Sequence, residues 1–240
     1  MKFLVFISAL LSLFVFAFPI SADLLRYAGA MINISDHPSL CLAKEENSTV
    51  ERLIAYQRDT QSRANNTLLR LWVDCNWLQE VEGGGENVEL KRWAILVAAR
   101  GKNGKEVLFR GLTRERYLRD VEKTLKISGD NIAKMIDKQA PDLLNGANKK
   151  YLGNETAIDV GGVINLGLLA LTDAAHIGML ANVKGDYGYD KLIAVIMAST
   201  VLKGAVIHHY EYSDYNNEKT LDSLLRSSKT FSARLVLRNR

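Results

Sequence analysis

The sequence predicts an α+β protein: an antiparallel sheet of about five strands packed on helices, with one buried apolar helical hairpin among them. Three observations lead there. Residues 68–112 alternate apolar and polar in the manner of a meander, the tail from Val206 alternates again, and residues 157–203 between them are apolar nearly all round. Grouped strands and grouped helices, rather than a strict βαβ alternation, favour an antiparallel sheet.

Met1-Lys2 precedes sixteen residues, Phe3–Phe18, interrupted only by Ser8 and Ser12; Pro19 and the small pair Ser21-Ala22 follow. A basic start, an apolar run and a small-residue exit define a secretory signal peptide over 1–22, since sixteen residues fall short of the ~20 that span a bilayer. The mature chain then carries 30 basic and 27 acidic residues, a net charge of +3, and keeps two of seven Phe. Export gives Cys41 and Cys75, the only cysteines, reason to pair as a disulfide. The sequons at Asn33, Asn47, Asn65 and Asn154 fit a surface glycoprotein.

Residues 23–67 read as a polar lead-in with one helix from Ser48 to about Arg63, and 68–240 as a single α+β domain. Within it, Leu71, Val73, Cys75 and Trp77 alternate as one strand and Trp93, Ile95, Val97 and Ala99 as a second. Lys102-Asn103-Gly104-Lys105 is a hairpin signal leading to a third strand, Glu106 to Leu112. Thr113 can cap a helix running to about Lys126. A short helix from Asp130 must end before Pro141, and a loop follows over 142–156.

Read as a helix, Ala157–Ala181 places Gly167, Ala170, Ala174, Gly178 and Ala181 on one face and Asn165, Thr172 and His176 on the other. A second apolar helix over Lys191–Leu202, ended by Lys203-Gly204, completes the hairpin 157–203. Val206, His208, Tyr210 and Tyr212 then form a strand, Glu218–Ser227 a helix, and Phe231, Ala233, Leu235 and Leu237 a last strand.

The chain has no nucleophile elbow, Walker loop, HExxH, CxxC or dinucleotide fingerprint, and Gly83-Gly84-Gly85 lacks the Lys-Ser/Thr of a phosphate loop. No cofactor and no metal site are expected. Neighbours on a strand point to opposite faces, so His208 and His209 cannot share an ion, and a site would need His208 with His176 and Asp173 or Asp159. Asp159, Asp173, His176 and His208 are the candidate functional polar residues, because charge inside an apolar segment is costly unless paired. Charge is also uneven: residues 91–126 carry eleven bases against four acids, and residues 219–240 six against one.

The run Ala157-Ile158-Asp159-Val160-Gly161-Gly162-Val163, with Leu192–Val201 followed by His208-His209, resembles the hydrophobic pair of the pore-forming yeast killer preprotoxins. The resemblance covers about 55 residues of 157–212. It implies a secreted toxin or effector that binds a cell surface or membrane, with the helical pair as its inserting part. The chain departs from that family in lacking its several cysteines, and Lys91-Arg92 lies inside an expected strand; Lys149-Lys150 is the better-placed dibasic site. Insertion would call for a homo-oligomer whose charges face a lumen, each central charge costing ~2.5–3.5 kcal/mol otherwise.

The function expected is thus a secreted, non-enzymatic glycoprotein whose partners are membrane lipid or a cell-surface glycan, with nucleic acid the least expected. A secreted hydrolase or transferase, using Asp159, Asp173 or Glu211 with His176 or His208, is the second reading. A recognition module using Tyr187, Tyr189, Tyr210, Tyr212 and Tyr215 is the third.

Overall fold

The computed structural model describes residues 23–85, 88–127, 158–185 and 190–240. The expected signal peptide, the expected helix from Asp130, Asn154, Tyr187, Tyr189 and Lys149-Lys150 lie outside these residues. Among the described residues the chain is α+β, with four helices, a seven-stranded antiparallel sheet and a two-stranded hairpin. The hairpin is β1 (Asp23–Tyr27) and β2 (Ala30–Ile34). The sheet contains β3 (Cys41–Leu42), β4 (Asn66–Val73), β5 (Arg92–Ala99), β6 (Ile158–Leu171), β7 (Ala175–Gly185), β8 (Asp190–Leu202) and β9 (Ala205–Asp214). Its order is β3-β4-β5-β9-β8-β7-β6. The helices are α1 (Ser48–Arg63), α2 (Cys75–Glu82), α3 (residues 114–127) and α4 (Glu218–Arg238).

Register assigns the two faces of the sheet. Leu71, Val73, Ile95 and Val97 pack with Val50 and Ile54 of α1 and Trp77 and Val81 of α2. Trp93, Met179, Ile193, Val195, Tyr210 and Tyr212 continue that face, and Tyr117 of α3 reaches it through Ser199. On the other face Trp72, Ala94, Leu96, Ala98 and Ile207 pack with Phe231 and Leu235 of α4 and with Tyr27, Ile32 and Ile34 of the hairpin. Residues 23–67 are therefore part of the core and no solvent-facing lead-in: both sheet faces are covered partly by them.

The helical hairpin expected over 157–203 is instead three long strands, β6, β7 and β8. β8 is buried over most of its length and β7 over its first half, and such a strand reads as a continuous apolar run that periodicity cannot separate from a buried helix. β6, at the sheet edge, carries the same apolar run with Ile164, Leu169 and Leu171 exposed. Turn chemistry decides the matter. Lys203 and Gly204 have φ of 49° and 83°, the two positive values of the tight turn that joins β8 to β9, so the pair that looks like a helix exit is a hairpin corner. Ala28-Gly29, at 48° and 88°, does the same between β1 and β2.

Three further expectations are corrected. The strand through Trp77 ends at Val73, because the Asp74 carboxylate accepts from the backbone N–H of Asn76 and Trp77 and starts α2. The Asn103-Gly104 turn forms, but the strand after it shrinks to one bridge, Arg100–Glu106. The last strand is helix: Leu224, Ser228, Phe231, Ser232, Leu235 and Val236 share one buried face of α4 at spacings of three and four. The expected helices over 48–63 and from Thr113 do form, the second with the Thr113 hydroxyl accepting from Arg116 N–H. Cys41 and Cys75 are bonded, 34 residues apart. Closing that loop stabilises the fold by about 4 kcal/mol on the chain-entropy account.

A buried histidine, glutamate and arginine cluster as candidate functional site

On β9, residues two apart share a face. His209 and Glu211 therefore point together toward α4, while His208, Tyr210 and Tyr212 point the other way. Ala94 and Leu96 on β5 and Ile196 and Ala198 on β8 flank them in register. The two alanines, one beside each of Glu211 and His209, leave space for larger side chains brought from elsewhere. Arg92, two residues before Ala94, enters on the same face. His37 comes from the segment after β2, and His176 sits across β8 from His209, through Ala198.

Glu211 is wholly buried and anchors the group. Its Oε1 lies 3.2 Å from His37 Nε2 and its Oε2 3.2 Å from Arg92 Nη2. Ser39 N–H donates to His37 Nδ1 at 3.3 Å, which leaves the ring hydrogen on Nε2 to be donated to Glu211. Arg92 also donates to Ser39 Oγ at 3.0 Å. Burial opposes ionisation of Glu211, but the His37 hydrogen bond and the positive charge about it prevail and hold its carboxyl below the ordinary carboxylate range.

His209 is 2% exposed, and neither ring nitrogen has a hydrogen-bond partner. It is clamped by Phe231, stacked at 4.2 Å, with the His37 ring at 5.5 Å and Trp72 at 6.3 Å. Burial pushes its pKa down to about 3. His176 is fully buried but satisfied, between Ser228 Oγ at 3.2 Å and Thr172 Oγ1 at 3.1 Å. Burial, then the Lys229 charge, lower its pKa to about 4. His37, His209 and Glu211 each present one ligating atom, all within 4.8 Å of one another.

The residues expected from sequence are thus dispersed. His208 lies on the opposite face, where Ser199 Oγ is 2.8 Å from its Nδ1 and Tyr117 Oη 2.5 Å from Ser199 Oγ; it cannot join His176. Asp173, in the β6–β7 turn, faces Arg114 at 3.9 Å. Asp159 stands opposite Lys184 in the β6–β7 register. Tyr210 and Tyr212 pack on each other and on Trp93, with ring centroids 6.2 and 4.8 Å apart, and form core instead of a contact surface. Arg92, of the dibasic pair, belongs to the cluster. His37, His209 and Arg92 were missed as site residues; Glu211 was expected only as an acid working with His176 or His208.

The sequons also differ in access. Asn47 caps α1 and donates to Val81 O, and Asn33 is bound through its backbone to Asn239. Asn65 is the exposed one, donating to Arg100 O and Gly101 O.

A crevice of about 340 Å³ runs beside the cluster, lined by Arg92, Ser213, Asn216, Asn217, Lys219 and Thr220 among others. Glu211, His37 and His209 do not line it; Arg92 stands between. Compared with protein families, curated proteins and solved structures, the chain matches none. Chemically the cluster can hold a charge or an ion between α4 and the sheet. It offers no open place for a substrate at Glu211.

Proposed function

We propose that the protein is a secreted, disulfide-bonded glycoprotein of toxin or effector type that acts without catalysis, by binding an anionic lipid surface through α4. The observation that carries this reading is the outer face of α4. Lys219, Arg226 and Arg234 recur along its exposed side, with Asp222 the one acid between them, beside Ala233 and Leu237, which is 62% exposed. Among the described residues none of Lys219, Arg226, Arg234 and Arg240 has an acidic partner.

A helix with apolar residues inside and cations outside is suited to a charged interface, where each Lys or Arg contributes about 1 kcal/mol. The helix ends on β2, where Asn239 Oδ1 accepts from Asn33 N–H and its Nδ2 donates to Asn33 O. That places the end of the stripe beside the outer side of the β1–β2 hairpin, where Leu24 and Met31 are exposed next to Arg26. The resemblance of residues 157–212 to the killer preprotoxins supports the toxin or effector part. Where they are described, those residues form strands β6 to β9 and the tight turns between them, and no described helix is long and apolar enough to cross a membrane. Contact is therefore assigned to α4 and not to insertion of a helical pair. Burial of Glu211 and His37 away from the neighbouring crevice supports binding over hydrolysis or group transfer.

Co-sedimentation with phosphatidylserine-containing and neutral vesicles tests this reading. Binding should require the anionic lipid, weaken with salt, and fall about thirtyfold in R226Q/R234Q, the loss of about 2 kcal/mol. Equal binding to neutral vesicles, or retention by a sulfated glycan column without vesicle binding, would overturn it.

A further inference from the structure

We propose that His37, His209 and Glu211 form a binding site for a borderline divalent transition-metal ion, of which Zn²⁺ is the type, buried between β9 and α4. The cluster supplies two imidazoles and one carboxylate, a three-ligand set that zinc accepts with a fourth position left to water. All three residues are buried and their ligating atoms already lie within 4.8 Å of one another. Around a tetrahedral ion at ~2.0–2.1 Å from each ligand the donors stand roughly 3.3 Å apart, so the group needs to contract only modestly.

The independent observation is His209. A buried ring with both nitrogens unpartnered costs about 1–3 kcal/mol per unmet group. Such a group in a packed core calls for a reason, and an ion or a water is the ordinary one. His209 is aimed at the His37–Glu211 pair and held there by Phe231 and Trp72, so its orientation is set before any ligand arrives.

The second layer also suits an ion. Arg92 engages Glu211 Oε2 and leaves Oε1 on the His37 side, where an ion would take the place of the present hydrogen bond. Ligation through His37 Nε2 moves the ring hydrogen to Nδ1. Ser39 N–H, in contact with Nδ1 at a long 3.3 Å, must then turn away. Ser39 is exposed and Arg92 lines the outer crevice, so these two residues mark the path of entry. With one carboxylate already neutralised by Arg92, the site is too poor in oxygen and negative charge for Ca²⁺ or Mg²⁺ and suits imidazole-preferring ions.

The test uses untagged protein, stripped with EDTA and dialysed against Zn²⁺ alone, with bound metal counted by mass spectrometry and Co²⁺ substitution read in the visible spectrum. One ion per chain is expected, with a four-coordinate Co²⁺ spectrum and no competition by Ca²⁺ or Mg²⁺. H209L should lower affinity at least about a hundredfold, beyond the 10–100-fold typical of outer-shell partners, and H37Q likewise. H208Q, one residue away on the opposite face, should bind as the parent does. The amide resonance of Ser39 should shift on Zn²⁺ addition in the parent and not in H209L. Circular dichroism confirms that H209L is folded, and H37Q supplies the second arm should it not be. No bound ion in the parent, or equal binding by the parent and folded H209L, would overturn the proposal. It stands apart from the lipid reading, since vesicle binding through α4 can fail with the metal count unchanged.

Discussion

The two faces of β9 carry similar residues and resolve them differently. Facing the α1–α3 side, His208, Tyr210 and Tyr212 each find a partner of matching kind: the Ser199 hydroxyl for the imidazole, and Trp93 and one another for the phenol rings. Facing α4, Glu211 is engaged at both oxygens, by His37 and by Arg92, while His209 beside it has no hydrogen-bond partner. A face that is merely packed distributes its polar bonds. A face that concentrates them on one carboxylate and leaves an imidazole bare is arranged around something more than packing.

Mutations sharpen that contrast. Phe231→Ala should have the largest effect, about 4 kcal/mol of stability, because the ring is fully buried among Trp72, His37 and His209. Urea denaturation of the oxidised protein measures it. Glu211→Gln should cost about 3 kcal/mol, since Arg92 and His37 lose the charge they face. A loss below 1 kcal/mol would mean the cluster is wetter than its burial implies.

His176 is one of the groups through which acid should act. Its pKa is about 4 in the folded protein and ~6.5 in an unfolded chain, so the unfolded state takes up the proton first. The groups facing it are Thr172 on its own turn, Ser228 and Lys229 on α4 and Glu211 on β9. Stability from this residue is intact above about pH 6.5 and falls by about 3 kcal/mol as pH drops to about 4. His208 and His209, held by burial at about 4 and about 3, act in the same window. Denaturation midpoints should therefore fall less steeply in H176Q than in the parent; an unchanged slope would assign the acid loss to those two.

The smallest effects compare the two adjacent histidines directly. His208→Leu should destabilise by about 1 kcal/mol, leaving Ser199 with Tyr117 alone. In metal-free protein His209→Leu should be neutral or slightly stabilising, because the apolar side chain removes the unmet ring nitrogens. Both are read as shifts in thermal midpoint, and a larger loss for His209→Leu than for His208→Leu would reverse the comparison drawn between the faces.

Local chemistry was legible where a side chain acts on its own neighbours. Helix α1 and the start of α3 were readable from caps and periodicity, and the Cys41–Cys75 bond from cysteine count and the signal segment. The strand register of β9, which sends His208 and His209 to opposite faces, followed from the period of two alone. Strands β6, β7 and β8 were not legible, because an unbroken apolar run fits a strand as well as a buried helix, whether the strand is covered like β8 or lies at the edge like β6.

The site itself was decided by tertiary structure. His37, Arg92 and Glu211 are separated by more than a hundred residues in two of their three spacings, and no pattern along the chain relates them. Sequence determined the alphabet: an α+β composition, two cysteines able to pair, a basic final segment and a strand of period two over Val206–Tyr212. Which cation and which imidazole meet Glu211 depended on β5 lying beside β9 and on α4 closing over both. Those are long-range pairings, set by which apolar faces can be buried together, and apolar burial is non-directional and carries no local signature.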